Sequence, residues 1–388
     1  MGKDNSLLIK NGNIYTITGS ILNGHDVLIE KGKIVDIREN ILGDYPTIDA
    51  SGLSVLPGFI EAHCHIGIEE PSGVNPGNLN ETSSPITPYI KGIDGVNFND
   101  TSFQRALENG VTTVATGPGS GNVIGGVSCI LRTYGDSPYD MIISEKSSMK
   151  AALGENPKRI HGSKGRCPIT KMGIAHLLRE TLRKAQIYYN KREVNLRGKE
   201  YNEIDISMEE LLPVINGSMP LSIHVHRSDD IFTALRIKEE FGIRVTLLHV
   251  TEGRFLLDHI KDLGCSAVLG PIMSFSKKME TNNKSNSTPK DFVEKGILTS
   301  ITTDHPVTPI EYLGISAGLC VREGLSYVEA LKAITINPAK ILGIDKRVGS
   351  IEIGKDADIQ IIEGVPLEVM SKVVYVVGKG KVVYKAIN

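Results

Sequence analysis

Hydrophobic and polar positions follow two different rhythms along the chain. Over the first 50 residues, apolar and polar positions alternate in short runs broken by glycine. Leu7–Ile17 reads as a hairpin turning at Asn11-Gly12, and Asp26–Ile37 as a second hairpin around Lys31-Gly32. The far end matches: Ser350–Gly354, Ala357–Ile362 and Val373–Tyr384 are short strand-like runs with no helical period between them. In the middle, short apolar runs alternate with helix-like segments, and Gly242, Gly264 and Gly296 are placed as helix stops. Strand–helix alternation over this length predicts parallel α/β structure. The spacing therefore predicts a (β/α)8 TIM-type barrel over residues 58–345. A small β-sandwich built from both chain ends, residues 1–57 and 346–388, would flank it.

Within the barrel, Leu53–Ala62 leads into His63-Cys64-His65, and Thr112–Thr116 and Val127–Leu131 read as strands two and three. Strand four falls near Ser148–Ala152. Leu221–His226, Val245–His249, Ser266–Pro271 and Leu298–Asp304 complete the set. Several of these runs end in a histidine or an aspartate. In a strand, residues i and i+2 share a face, so His63 and His65 point the same way and Cys64 turns into packing. A barrel gathers all parallel strand C-termini at one mouth, where His63, His65, His224, His249 and Asp304 would meet. Imidazole and carboxylate are the donor types of zinc and its neighbours.

Composition narrows the setting. The chain has 388 residues and a formal net charge of −2, which gives no electrostatic reason to expect nucleic acid. No apolar run is long enough to span a bilayer, so no membrane partner is expected. Five cysteines without a paired spacing (64, 129, 167, 265 and 320) read as reduced thiols in a cytoplasmic protein. Met1-Gly2 followed by Ser6 fits the short N-myristoylation pattern. The polar residues 276–290 read either as a lid over the mouth or as a solvated surface loop. Glycine-rich Gly117–Asn122 could bring backbone N–H groups near a substrate carboxylate. Arg227, three residues past His224, could clamp such a carboxylate bidentately.

Pro57-Gly58-Phe59-Ile60-Glu61-Ala62-His63-Cys64-His65 resembles the signature of the amidohydrolase superfamily. Ala333–Gly343 followed by Val348–Ile359 resembles the segment in which that superfamily leaves its barrel for its small β-sandwich. The resemblance spans essentially the whole chain and is nearest to imidazolonepropionase-like members, which include peptidase-like ones. Lys150–Arg159 resembles a subgroup whose substrate is not assigned.

The resemblance implies a metal-dependent hydrolase of C–N bonds (amide, cyclic amide or dipeptide-like), acting on a small molecule through a metal-activated hydroxide. It implies His63, His65, His224, His249 and Asp304 as ligands of one or two divalent ions, zinc by default. Asp304 would also shuttle the proton, and His249 would touch water or substrate in a one-metal site. Lys150 would bridge two ions if carboxylated by CO₂; otherwise it is a rim lysine paired with Glu155. His226 would face the substrate beside Arg227. The alternative on the same scaffold is a one-metal deaminase, but such members carry a glutamate where this chain has Arg227. A non-catalytic homologue is a third possibility, and a homo-oligomer is compatible with all three.

Overall fold

The computed structural model describes residues 6–69, 78–198, 204–276 and 278–387, so Met1-Gly2 and Lys277 lie outside the described residues. In chain order the strands are β1 (Ser6–Tyr15), β2 (Ile21–Glu30), β3 (Lys33–Arg38), β4 (Thr47–Asp49) and β5 (Ser54–Pro57). Next come β6 (Phe59–Cys64), β7 (Val111–Thr116), β8 (Ile124–Arg132), β9 (Ile142–Ala152), β10 (Leu221–Val225), β11 (Val245–His249), β12 (Ser266–Leu269) and β13 (Thr299–Ile301). The chain ends with β14 (Ile359–Glu363), β15 (Lys372–Gly378) and β16 (Lys381–Lys385).

One sheet takes strands from both termini, in the order β16-β15-β14-β5-β1-β2-β3, with β4 beside β1. Its core joins Ile9, Ile14, Val27 and Ile29 to Ile359, Ile361 and Val377. Burial of that shared apolar face is what holds the two ends of the chain together. The turn between β2 and β3 falls at Lys31-Gly32, both at positive φ (50° and 77°), which suits the right-handed twist of a two-residue hairpin.

Asn11-Gly12 is not a turn. β1 runs straight through it with register shifts on either side, so the pair forms an irregularity inside one strand. Asn11 takes φ 58° there, and a Cβ on Gly12 would meet Val55 Cγ2 at 2.5 Å. Ser350–Gly354 is not a strand either: Gly354 turns the chain at φ 92°, while Ile351 is buried in the core of the terminal sheet.

The second sheet runs β6 to β13 in sequence order and curls into the barrel. Apolar clusters lie between its strands and the outer helices Lys171–Gly198, Ser228–Phe241 and Leu313–Arg322. Closure between β13 and β6 combines side-chain and backbone bonds. The Thr302 hydroxyl donates to His63 O at 2.6 Å, and His65 N–H donates to His305 O at 2.8 Å. Buried Glu61 accepts from Thr303 N–H (2.8 Å), the Thr303 hydroxyl (2.7 Å) and His63 N–H (3.1 Å).

The barrel departs from strict (β/α)8 order at one strand. β8 is antiparallel to both β7 and β9, so strand three enters at the mouth and leaves at the base. No helix lies between β7 and β8; the glycine-rich loop 117–123 makes the connection directly.

Candidate metal centre

Each histidine is placed by a strand end, and His65, His249 and His226 are fixed by a hydrogen bond behind the ring. His65 Nδ1–H donates to Gly117 O at 2.8 Å, and His249 Nδ1–H donates to Gly270 O at 2.9 Å. A carbonyl can only accept, so both rings carry their proton on Nδ1 and keep the Nε2 lone pair for the mouth. His226 Nδ1 meets the Thr251 hydroxyl at 2.7 Å. His249 and Asp304 sit at positive φ (72° and 53°), an unfavourable backbone for non-glycine residues that recurs at functional sites.

The strand ends converge. His63 Nε2 lies 3.3 Å and His65 Nε2 3.5 Å from Asp304 Oδ1. Ring centroids are 5.0 Å apart for His63 and His65, 5.5 Å for His63 and His249, and 4.5 Å for His224 and His249. His226 stacks on His249 at 5.1 Å. Donor atoms of His63, His249 and Asp304 all lie within 4.8 Å of one another. Four imidazoles and a carboxylate so close, with the Nε2 lone pairs of His65 and His249 turned inward, fit a divalent ion through donor type alone.

Lys150, at the end of β9, is buried among them with Nζ 3.0 Å from His63 Nε2. It forms no ion pair with Glu155, and burial pushes its ammonium down to about 7. Burial likewise holds His224 and His249 well below the ordinary imidazole range, His226 near 4, and His63 near 3 with help from the Lys150 charge. These rings are neutral at pH 7, as ligation requires. For Asp304, burial opposes ionisation. Its contacts with His249, His63 and His65 outweigh it, so the carboxyl stays well below its usual range.

Arg227 is not brought into this cluster. It sits just before the helix Ser228–Phe241, is exposed, and turns its guanidinium to Asp229 Oδ1 at 3.1 Å. The chain leaves the barrel at that residue, so counting from His224 carried it beyond the mouth. His161 is buried beneath the glycine-rich loop, where it bonds Asn122 Oδ1 at 2.9 Å. His305 packs behind the site and accepts from Ile310 N–H. His25, His176 and His259 lie away from it, the last two exposed.

The structure adds groups that the sequence did not reveal. Glu280, from the polar stretch after β12, is buried 3.9 Å from His224 Nε2. Asn156 donates to the Ser120 hydroxyl at 2.7 Å, and its Nδ2 lies 3.4 Å from His224 Nε2. Lys284 lines a cavity of about 40 Å³ with His226, His249, Leu269 and Ile272. Its ammonium donates to Ser274 O and Oγ, and among the described residues no carboxylate pairs with it.

The amidohydrolase family model matches residues 54–387. An amidohydrolase of known structure from Thermotoga maritima MSB8 is 37% identical, with 98% of this chain and 100% of that one covered at a TM-score of 0.94. The amidohydrolase tasK of Hapsidospora irregularis is 28% identical over 375 residues. That match takes in 89% of this chain but only 38% of the relative's length. The imidazolonepropionase of Thermoplasma acidophilum is 23% identical, covering 88% of this chain and 83% of that protein.

Proposed function

Because the chain belongs to the amidohydrolase family, we propose that it is a metal-dependent hydrolase of C–N bonds in small amides, cyclic amides or dipeptide-like N-acyl amino acids. The observation that carries this is the convergence of His63, His65, His224, His249 and Asp304 around the buried amine of Lys150. A divalent ion held by these residues, zinc by donor type, would polarise a carbonyl and make water acidic enough to attack it near neutral pH.

The chain's own residues supply the rest. Asp304, ionised at neutral pH, accepts a proton from the attacking water and returns it to the leaving nitrogen. His249 offers Nε2 to the mouth, since its Nδ1–H is spent on Gly270 O. Lys150, half neutral at pH 7, has a lone pair available for CO₂. Its amine would add to the carbon and release a proton, leaving a carbamate within reach of His63. His226 and Lys284 line the adjoining cavity, where the ammonium would take a substrate carboxylate in the role expected of Arg227. The position at which such deaminases carry a glutamate holds Arg227 here, which favours hydrolysis of amides. Free, mostly buried thiols suit a reducing compartment, and we place the enzyme in the cytoplasm. No helix among the described residues is long and apolar enough to cross a membrane.

The test is amine release from a panel of N-acyl amino acids, dipeptides and cyclic amides, using protein prepared with zinc and bicarbonate. Turnover of at least one class is expected, with Asp304→Asn lowering kcat by roughly 10²–10⁴-fold. No release from any class, or full activity in Asp304→Asn, would overturn the proposal.

A further inference from the structure

The ligand set implied by the superfamily has no place for Glu280, yet the fold carries this carboxylate deep into the mouth. The segment after β12 dips inward at Met279–Thr281, leaving Glu280 only 1% exposed. Its Oε2 accepts from Glu155 N–H at 3.0 Å, which fixes the side chain against the start of the helix Glu155–Gly162. Its Oε1 is buried with no hydrogen-bond partner and lies 3.9 Å from His224 Nε2. Lys278 Nζ forms a long ion pair with that oxygen at 3.8 Å while donating to Asn156 Oδ1 at 2.7 Å.

A buried carboxylate oxygen that accepts no hydrogen bond is costly, and a cation directly in front of it lowers the cost. The groups around that oxygen are of the right kind. Donor atoms of His224, His226 and Glu280 lie within 4.8 Å of one another, and all three side chains are buried. With His226 Nδ1 engaged by Thr251, its Nε2 is left for the same space. Two imidazoles and one carboxylate with an open fourth position are a common zinc set.

We infer that Glu280 is a loop-borne metal ligand, completing with His224 and His226 the seat of one ion at the barrel mouth. Metal loading and the seating of residues 278–287 are then one linked equilibrium: the ion holds the segment down, and the seated segment tightens the ion. Elsewhere the segment is held by polar contacts such as Asn283 Nδ2 to Glu252 Oε1 at 2.7 Å, and Lys284 also reaches inward, but Glu280 is the carboxylate it turns toward His224. The inference rests on the proposed metal centre but requires no particular reaction.

The experiment is a zinc titration of chelator-stripped full-length protein, with amide hydrogen exchange followed over 278–287. In the parent, zinc should slow exchange in that segment by tenfold or more. Glu280→Gln, close to isosteric, should weaken one ion by at least tenfold and abolish the zinc-dependent protection. His226→Asn reaches the same seat from the barrel side and should show the same loss, whether or not the Glu280 variant folds. Lys278→Met, which removes a neighbouring charge but no ligand, should retain both zinc affinity and protection. Zinc binding within twofold of the parent in Glu280→Gln or His226→Asn, with protection intact, overturns the inference and leaves the metal centre standing. A parent that binds no zinc overturns both.

Discussion

At the scale of single residues, the titrating groups of the mouth make the metal-free protein sensitive to pH in a direction that can be worked out. Burial lowers Lys150 from 10.5 to about 7. Between those values the unfolded chain holds a proton that the native chain lacks, so stability rises with pH over that window by up to about 1.4 kcal/mol per unit. Below pH 7 the cost of the buried ammonium is present in full. Lys150→Met should therefore flatten the rise between pH 7 and 10, read from denaturant midpoints in chelator. The buried histidines act lower. His63 near 3 and His226 near 4, against 6.5 unfolded, make the metal-free fold lose stability as pH falls below about 6.5. Zinc should raise stability at pH 7 but leave that loss in place, because ligated rings take up no protons while the unfolded ones still do.

Residues differed in how far the sequence disclosed them. His63 and His65 were legible because an i, i+2 pair at a strand end has one geometric meaning. Lys150 was legible only through resemblance. Glu280 lay hidden among lysines, asparagines and serines, since its burial is produced by the fold and not by any local pattern. Arg227 misled because its position lies past the strand end, where the chain has already turned into a helix.

At the scale of elements, the glycine-rich connection after β7 matters more as a wall than as an anion cradle. Gly117 O takes the His65 Nδ1 proton, and a Cβ on Gly117 would lie 2.2 Å from Ser128 Oγ on β8. Only a bare backbone lets the loop pass so near the reversed strand and still hold the ring. Gly117→Ala should cost roughly 1–3 kcal/mol of stability by overpacking, measured by urea unfolding. It should also weaken zinc binding, because relieving the clash with Ser128 shifts the carbonyl that orients the His65 ring. Unchanged zinc affinity would show that Gly117 O does not orient His65. The reversal of β8 itself could not be read from the sequence. Val127–Leu131 is buried on both faces, and such a run carries no mark of direction. Asn11-Gly12 erred for a related reason: the pair favours positive φ, which serves a strand irregularity as well as a turn.

At the scale of the whole molecule, alternation at both ends was enough to foresee a β unit made from the two termini. The tie between that unit and the barrel was not foreseeable. Arg132, at the end of β8, is buried and donates to Asp356 Oδ2 at 2.9 Å, with Asp358 Oδ2 at 3.5 Å. Lys33 and Arg347 also hold Asp356, and the Tyr134 hydroxyl donates to Asp358. One cluster thus joins the N-terminal strands, the barrel and the returning C-terminal segment. Arg132→Met would leave Asp358 buried without its arginine, and should destabilise the fold by about 3–5 kcal/mol in chemical denaturation. A loss below about 1 kcal/mol would mean that apolar packing alone joins the two units.

The central claim is that the barrel mouth is a metal centre organised around Lys150. The most direct measurement is elemental analysis of metal per chain, on the parent and on Lys150→Ala, both expressed with added zinc and bicarbonate. The account predicts about two ions per parent chain and a clear fall in the variant. About one ion, unchanged by the substitution, would contradict the bridging lysine, and no metal in either protein would contradict the centre itself.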